Sequence, residues 1–262
     1  MKTILRLTIF LILLSTISGN CQSKMVSIKG GKYIPLYGRD SMKVSISDFQ
    51  MDVYPVTNEE YLKFVNENPK WRKSKVISLF ADKRYLISWK SDTELSENQN
   101  LKSPVTDVSW FAAKNYCESQ GKRLPTVDEW EYVAMANEKM PDARRLESYN
   151  KLILGWYEKP KTFDNVIGST FKNYWRVYDL HGLVWEWTSD FNSVLITGES
   201  RKDVDKDSNL FCGSAAVNAT DLMNYAAFMR YAIRGSLKAK YTMKNLGFRC
   251  VKDSKINQNE IN

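Results

Sequence analysis

Residues 121–132 read GKRLPTVDEWEY. Thr126 and Glu129 stand three positions apart, directly after Pro125. That spacing is a capping box, in which a threonine hydroxyl and a glutamate carboxylate satisfy orphan amides in a helix's first turn. Trp130, Val133 and Ala134 continue the apolar face of the helix so begun. Working outward, Thr57 and Glu60 form a second capping box, followed by Tyr61, Phe64 and Val65 on one face. Ser109 caps a third helix, whose Ala112, Ala113, Tyr116 and Cys117 face inward until Gly121 ends it. Short β-like runs lie at 43–49, 183–187 and 228–233. Few elements, long connections and segregated helices predict an α+β domain rather than alternating βαβ units.

The first 21 residues read as a targeting segment. Lys2 and Arg6 precede an apolar run at 7–14 (LTIFLILL), too short to span a bilayer, and small or polar residues follow as far as Cys21. This is the layout of a signal peptide and predicts an exported protein. Cleavage before Cys21 would leave a lipid-modified cysteine and a membrane anchor; cleavage after it would leave Gln22 as a free amino terminus. The rest, roughly 240 residues, is enough for one core, with the domain read over 26–252 and a polar tail at 253–262. Polar stretches at 91–103 and 198–209 read as surface loops, not boundaries.

Losing Lys2 and Arg6 from 38 basic residues, against 30 acidic ones, leaves a formal charge of +6 in place of +8. The charges are interspersed, and the cluster at 70–75 (KWRKSK) is short. A nucleic-acid partner would require cations concentrated on one element, so none is expected and the cluster reads as solvated surface. Export leaves Cys117, Cys212 and Cys250. An odd number in an oxidising compartment allows one internal disulfide and leaves one thiol, with all three pairings open.

Six segments, in order, resemble the formylglycine-generating-enzyme (sulfatase-modifying-factor) family. They are IKGGKY at 28–33, FQMDVYPVTN at 49–58 with Tyr61, Phe64 and Val65, PVTDVSW at 104–110, GKRLPTVDEWEY at 121–132, YDLHGLVWEW at 178–187 and NLGFRC at 245–250. The resemblance implies a C-type-lectin-like α+β fold with little regular structure. Family oxidases hold Cu(I) between two cysteines five positions apart, because soft thiolates select that ion. The corresponding positions here are Val217 and Leu222, which removes the copper chemistry. Trp185 and Ser214 fall on positions that line the family's oxygen pocket; the alternative is a core tryptophan and a turn serine. Cys212 stands before the turn and is not a replacement for the missing pair.

The resemblance also implies a structural Ca²⁺ held by Asp179, the carbonyls of Gly182 and Val184, and Glu186. Hard cations of this kind take several oxygens from a short irregular loop. The alternative is that Glu186 pairs with a nearby arginine. The family's second calcium loop falls where this chain is shortened, around 159–173, and is not expected here. His181, the one histidine, cannot supply the several imidazoles of the iron-binding branch of the superfamily, and reads as a loop residue.

Residues 212–250 resemble the NirV-type accessory proteins of copper nitrite reductase, through the turn cysteine, NYAAFMRYA at 224–232 and RGSLKA at 234–239. This implies a periplasmic accessory or maturation role, with a protein or peptide partner in the family's groove. An active oxidase that modifies a sulfatase cysteine and a structural surface lipoprotein are the alternatives.

Overall fold

The computed structural model describes residues 24–36, 42–192 and 222–254. Three strands form the main sheet: β1 (Met25–Ile28), β4 (Phe49–Asp52) and β7 (Val251–Asp253), all antiparallel, with β4 in the middle. The opening and closing strands thus lie on either side of the same neighbour. A second pair joins β2 (Gly31–Tyr33) to β3 (Val44–Ile46). The third is parallel, β5 (Trp185–Glu186) beside β6 (Leu246–Gly247). The mixture of short strands and helices is α+β, as the sequence predicts.

The three capped helices begin where their caps place them. These are α1 (Asn58–Glu67), α2 (Trp110–Ser119) and α3 (Val127–Ala134). Thr126 Oγ1 accepts from the Glu129 amide at 3.1 Å, and Glu129 Oε2 accepts from the Thr126 amide at 2.9 Å. Thr57 and Glu60 do the same at α1, and Ser109 Oγ accepts from the Ala112 amide at α2. Gly121, with φ +66°, follows α2 in the left-handed region that favours a residue without a Cβ.

Two further helices carry weaker signals or contradict the sequence reading. α4 (Glu147–Tyr157) starts at Leu146, which has no side chain able to cap it. α5 (Leu222–Ser236) contains 228–233, the run predicted as a strand. The correction has a physical basis: Ala226, Ala227, Arg230, Tyr231 and Arg234 are the buried residues, a stripe spaced as one helix face. An apolar count reads the same run as strand because Arg230 inside it and Arg234 just beyond it fill core positions of the helix. Among the described residues no helix is long and apolar enough to cross a membrane.

Ile28, Phe49, Met51 and Val251 of the sheet pack under Trp130 and Val133 of α3. On the other side, Tyr61 and Phe64 of α1 meet Tyr116 of α2 and Phe248, with ring centroids 5.3–6.2 Å apart. Such edge and offset contacts add to what area burial alone contributes. Cys117 of α2 is bonded to Cys250 just before β7, with Cα atoms 5.6 Å apart and 133 positions between them in sequence. This selects one of the three open pairings. Cys212 and Cys21 lie outside the described residues, as do Ser214, Val217, the predicted loop at 198–209 and the leader.

Candidate functional site

The 178–187 segment makes a tight turn before entering β5. Asp179 at φ +61° and Gly182 at φ +90° both adopt left-handed backbone. A Cβ on Gly182 would lie 2.6 Å from the Trp156 ring, so only glycine lets that indole pack onto the turn. Trp156 in turn stacks on His181, ring centroids 6.2 Å apart. His181 is buried between Trp130, Tyr149 and Trp156, and one ring nitrogen lies 2.9 Å from the Ala134 carbonyl. Burial, aided by the charge of Arg230, pushes its pKa down to about 3, so the ring is neutral.

Glu186 is fully buried. Its carboxylate accepts from Arg249 Nε at 2.8 Å, Arg249 Nη2 at 2.8 Å and Trp130 Nε1 at 2.8 Å. Arg249 also donates to the carbonyls of Tyr178, Asp52 and Val53. Its guanidinium therefore bridges the Tyr178 turn and the glutamate, the two segments a calcium ion was expected to bridge. Asp179, the other carboxylate of that expected set, accepts from the Thr170 amide and hydroxyl at 3.0 Å and from the Gly168 amide. Oxygens turned toward N–H and O–H donors do not fit a cation cage. For Glu186 the geometry is that of the alternative, the arginine pair. Among the described residues no three of His, Cys, Asp and Glu are grouped as metal ligands would be.

A second buried ion pair sits on the other side of Trp130. Glu131 accepts from Arg230 Nε at 2.9 Å and Nη2 at 2.7 Å, and from Arg234 Nη1 at 2.7 Å. Burial would raise the Glu131 pKa, but the two guanidiniums overcome it and hold the carboxyl at about 2. Both guanidiniums also lie over the Trp130 ring, 5.9 and 5.0 Å from its centroid. The indole thus donates to one ion pair from its edge and faces the other.

Between these two pairs lies a cavity of about 200 Å³. Its walls come from the 180–186 turn, the end of α4, one face of α5 and Asn245–Leu246. Trp185, one of the two predicted pocket residues, is there and stacks on Tyr157 at 5.2 Å. Its predicted companion Ser214 is outside the described residues, and Leu222 is described only as the first residue of α5. Tyr157, Arg230 and Arg234 line the cavity and were not predicted. The signal for them was the acidic partner Glu131 inside the 121–132 motif, a buried charge that requires a cation. Chemically the site offers aromatic faces and guanidinium donors. Among the described residues that line it there is no cysteine.

A family model described as "Sulfatase-modifying factor enzyme 1-like domain" matches residues 15–254. The chain belongs to this family. Among curated members of the sulfatase-modifying-factor family, it is 27% identical to the inactive C-alpha-formylglycine-generating enzyme 2 of Bos taurus, over 88% of this chain and 89% of that protein. It is also 27% identical to the formylglycine-generating enzyme of Mus musculus, over 88% of this chain and 75% of that protein. A solved structure, PvdO from Pseudomonas aeruginosa, covers 88% of this chain and 94% of its own at a TM-score of 0.49 and 19% identity.

Proposed function

We propose that this chain is an exported, non-catalytic member of the sulfatase-modifying-factor family, acting as an accessory or maturation protein. The observation that carries this is the sulfur inventory. Cys117 and Cys250 are consumed by their disulfide, and the two positions that should carry the copper-binding pair are Val217 and Leu222. Without two thiolates there is no soft ligand set for Cu(I). A relative whose name calls it inactive is in keeping with loss of the catalyst on an otherwise retained scaffold.

In this reading the cavity between Trp185, Tyr157 and Arg234 takes a segment of a partner protein, in the groove that a lectin-like fold presents. The resemblance of 212–250 to NirV-type proteins makes a copper nitrite reductase of the periplasm the partner to test. The leader at 1–21 supports export, with Cys21 as the lipid anchor where cleavage precedes it. No part of the reading needs a calcium ion at Glu186.

The test is turnover. The purified protein is incubated in air, with and without Cu(I), with a peptide bearing the sulfatase CxPxR motif, and the products are read by mass. No aldehyde is expected, whereas conversion of the peptide cysteine would make the protein an active oxidase and end the proposal. Deletion in the native host should lower the copper content of a co-expressed nitrite reductase. An unchanged content removes that partner.

A further inference from the structure

The basic cluster at 70–75 is not absorbed by the site above, and it lies on another face. Residues 69–90 hold seven basic side chains, Lys70, Arg72, Lys73, Lys75, Lys83, Arg84 and Lys90, and one acid, Asp82. From just beyond the stretch Asp92 accepts from Ser74 beside Arg72 and Lys75, and Glu94 pairs with Lys90 at 2.7 Å, which leaves the cluster basic by a smaller margin. Asp82 is itself occupied by Thr242, whose hydroxyl donates to it at 2.6 Å. Beside the cluster, the Phe80 amide donates to the Ile77 carbonyl at 2.9 Å and closes a turn. The turn holds its apolar side chains outward: Ile77 is 56% exposed, Leu79 68% and Phe80 37%. Behind it opens an apolar groove of about 380 Å³, floored by Trp71, Phe80 and Phe111 and rimmed by Lys70, Lys75 and Lys114. Glu118 is the one acid on that rim and faces Lys114 at 3.7 Å.

We infer that this face docks on an anionic lipid bilayer, with the 77–80 turn inserted among the headgroups and the lysines on lipid phosphates. Charge complementarity identifies the occupant, since apolar tips encircled by lysines are the pattern of interfacial binding. Leu79 argues against a bound peptide. It lies outside the groove lining, so a ligand lying in the groove leaves it in water, whereas a bilayer surface meets it first. The rings of Trp110 and Phe111, 5.4 Å apart, line the same groove and add aromatic surface of the kind that favours an interface.

Amide hydrogen exchange on the full chain, followed peptide by peptide with phosphatidylglycerol or phosphatidylcholine vesicles, tests this. The leader is identical in every arm, so the readout is local to the face. Phosphatidylglycerol is expected to slow exchange in 69–90 and 110–118, phosphatidylcholine to leave them unchanged, and 0.5 M salt to remove the effect. Ile77→Asp with Leu79→Asp should abolish it without moving the melting temperature, because both side chains are exposed. Lys70→Gln and Lys75→Gln should each weaken partitioning about five-fold. No slowing with anionic vesicles, or equal slowing in the Asp variant, overturns the proposal. Slowing by a soluble polyglutamate peptide but not by vesicles overturns it in favour of an acidic protein partner.

Discussion

Arg249 joins four points of the chain through one planar group: Glu186, Tyr178, Asp52 and Val53. Its side chain is fully buried, as is that of Glu186. Replacing it with methionine fills a similar volume but leaves a buried carboxylate with no counter-charge. The expected cost is about 3–5 kcal/mol, read by urea denaturation. Lysine should recover little of it, since a point charge cannot serve the same fork of acceptors. With a guanidinium already in place, chelator should leave the wild-type melting temperature unmoved. A drop on chelation that calcium reverses would restore the ion to this turn. The sequence named both alternatives for Glu186 but could not choose, because Arg249 lies 63 positions away and only folding brings it near.

At the scale of elements, α5 is seated by charge as much as by apolar packing. Glu131 of α3 holds Arg230 and Arg234, and the neutral ring of His181 lies beneath. Both titrations depend on pH in the same direction. His181 has a folded pKa of about 3 against an ordinary 6.5, so the unfolded chain binds its proton first. Stability is complete above pH 6.5 and falls as pH drops toward 3. Glu131, at about 2 against 4.5, adds a second loss below pH 4.5. The unfolding free energy should therefore decline between pH 7 and pH 5 by up to about 1.4 kcal/mol per pH unit, and the melting temperature with it. His181→Gln should flatten that window and leave the decline below pH 4.5 in place. A variant as pH-sensitive as the wild type would place the titrating group elsewhere.

The legibility of each element follows from the same physics. α1, α2 and α3 announce themselves because their caps are local, three residues from signal to partner. α4 has no cap to read, and only Tyr149 and Ile153 of it are deeply buried. α5 misleads because Arg230 and Arg234 occupy core positions that a periodicity of apolar residues leaves blank. The cavity was half legible for that reason: Trp185 came with a motif, while its cationic wall depended on a helix read as a strand.

For the whole molecule, the Cys117–Cys250 bridge closes a loop of 133 positions. In the chain-entropy account a loop that long removes about 5 kcal/mol of freedom from the unfolded chain. Cys117→Ser together with Cys250→Ser should therefore lower stability by about 2–5 kcal/mol in chemical denaturation, and reductant should do the same to the wild type but not to the variant. Loss of less than 1 kcal/mol would show that the aromatic packing of Tyr61, Tyr116 and Phe248 suffices without the bond. Which cysteines pair was beyond sequence reasoning, since three candidates fit the same compartment equally well.

The placement of β1 and β7 on either side of β4 has a temporal consequence. A chain synthesised from its amino terminus emerges with β1 and β4 long before their third partner. Until Leu246–Asp253 arrives, β4 keeps one bare edge, Glu186 waits without its guanidinium, and Cys117 has no Cys250 to bond. Such late closure makes assembly slow, because the decisive contacts are the most distant in sequence. The sheet and the disulfide of this fold can therefore be completed only once the last strand has been made.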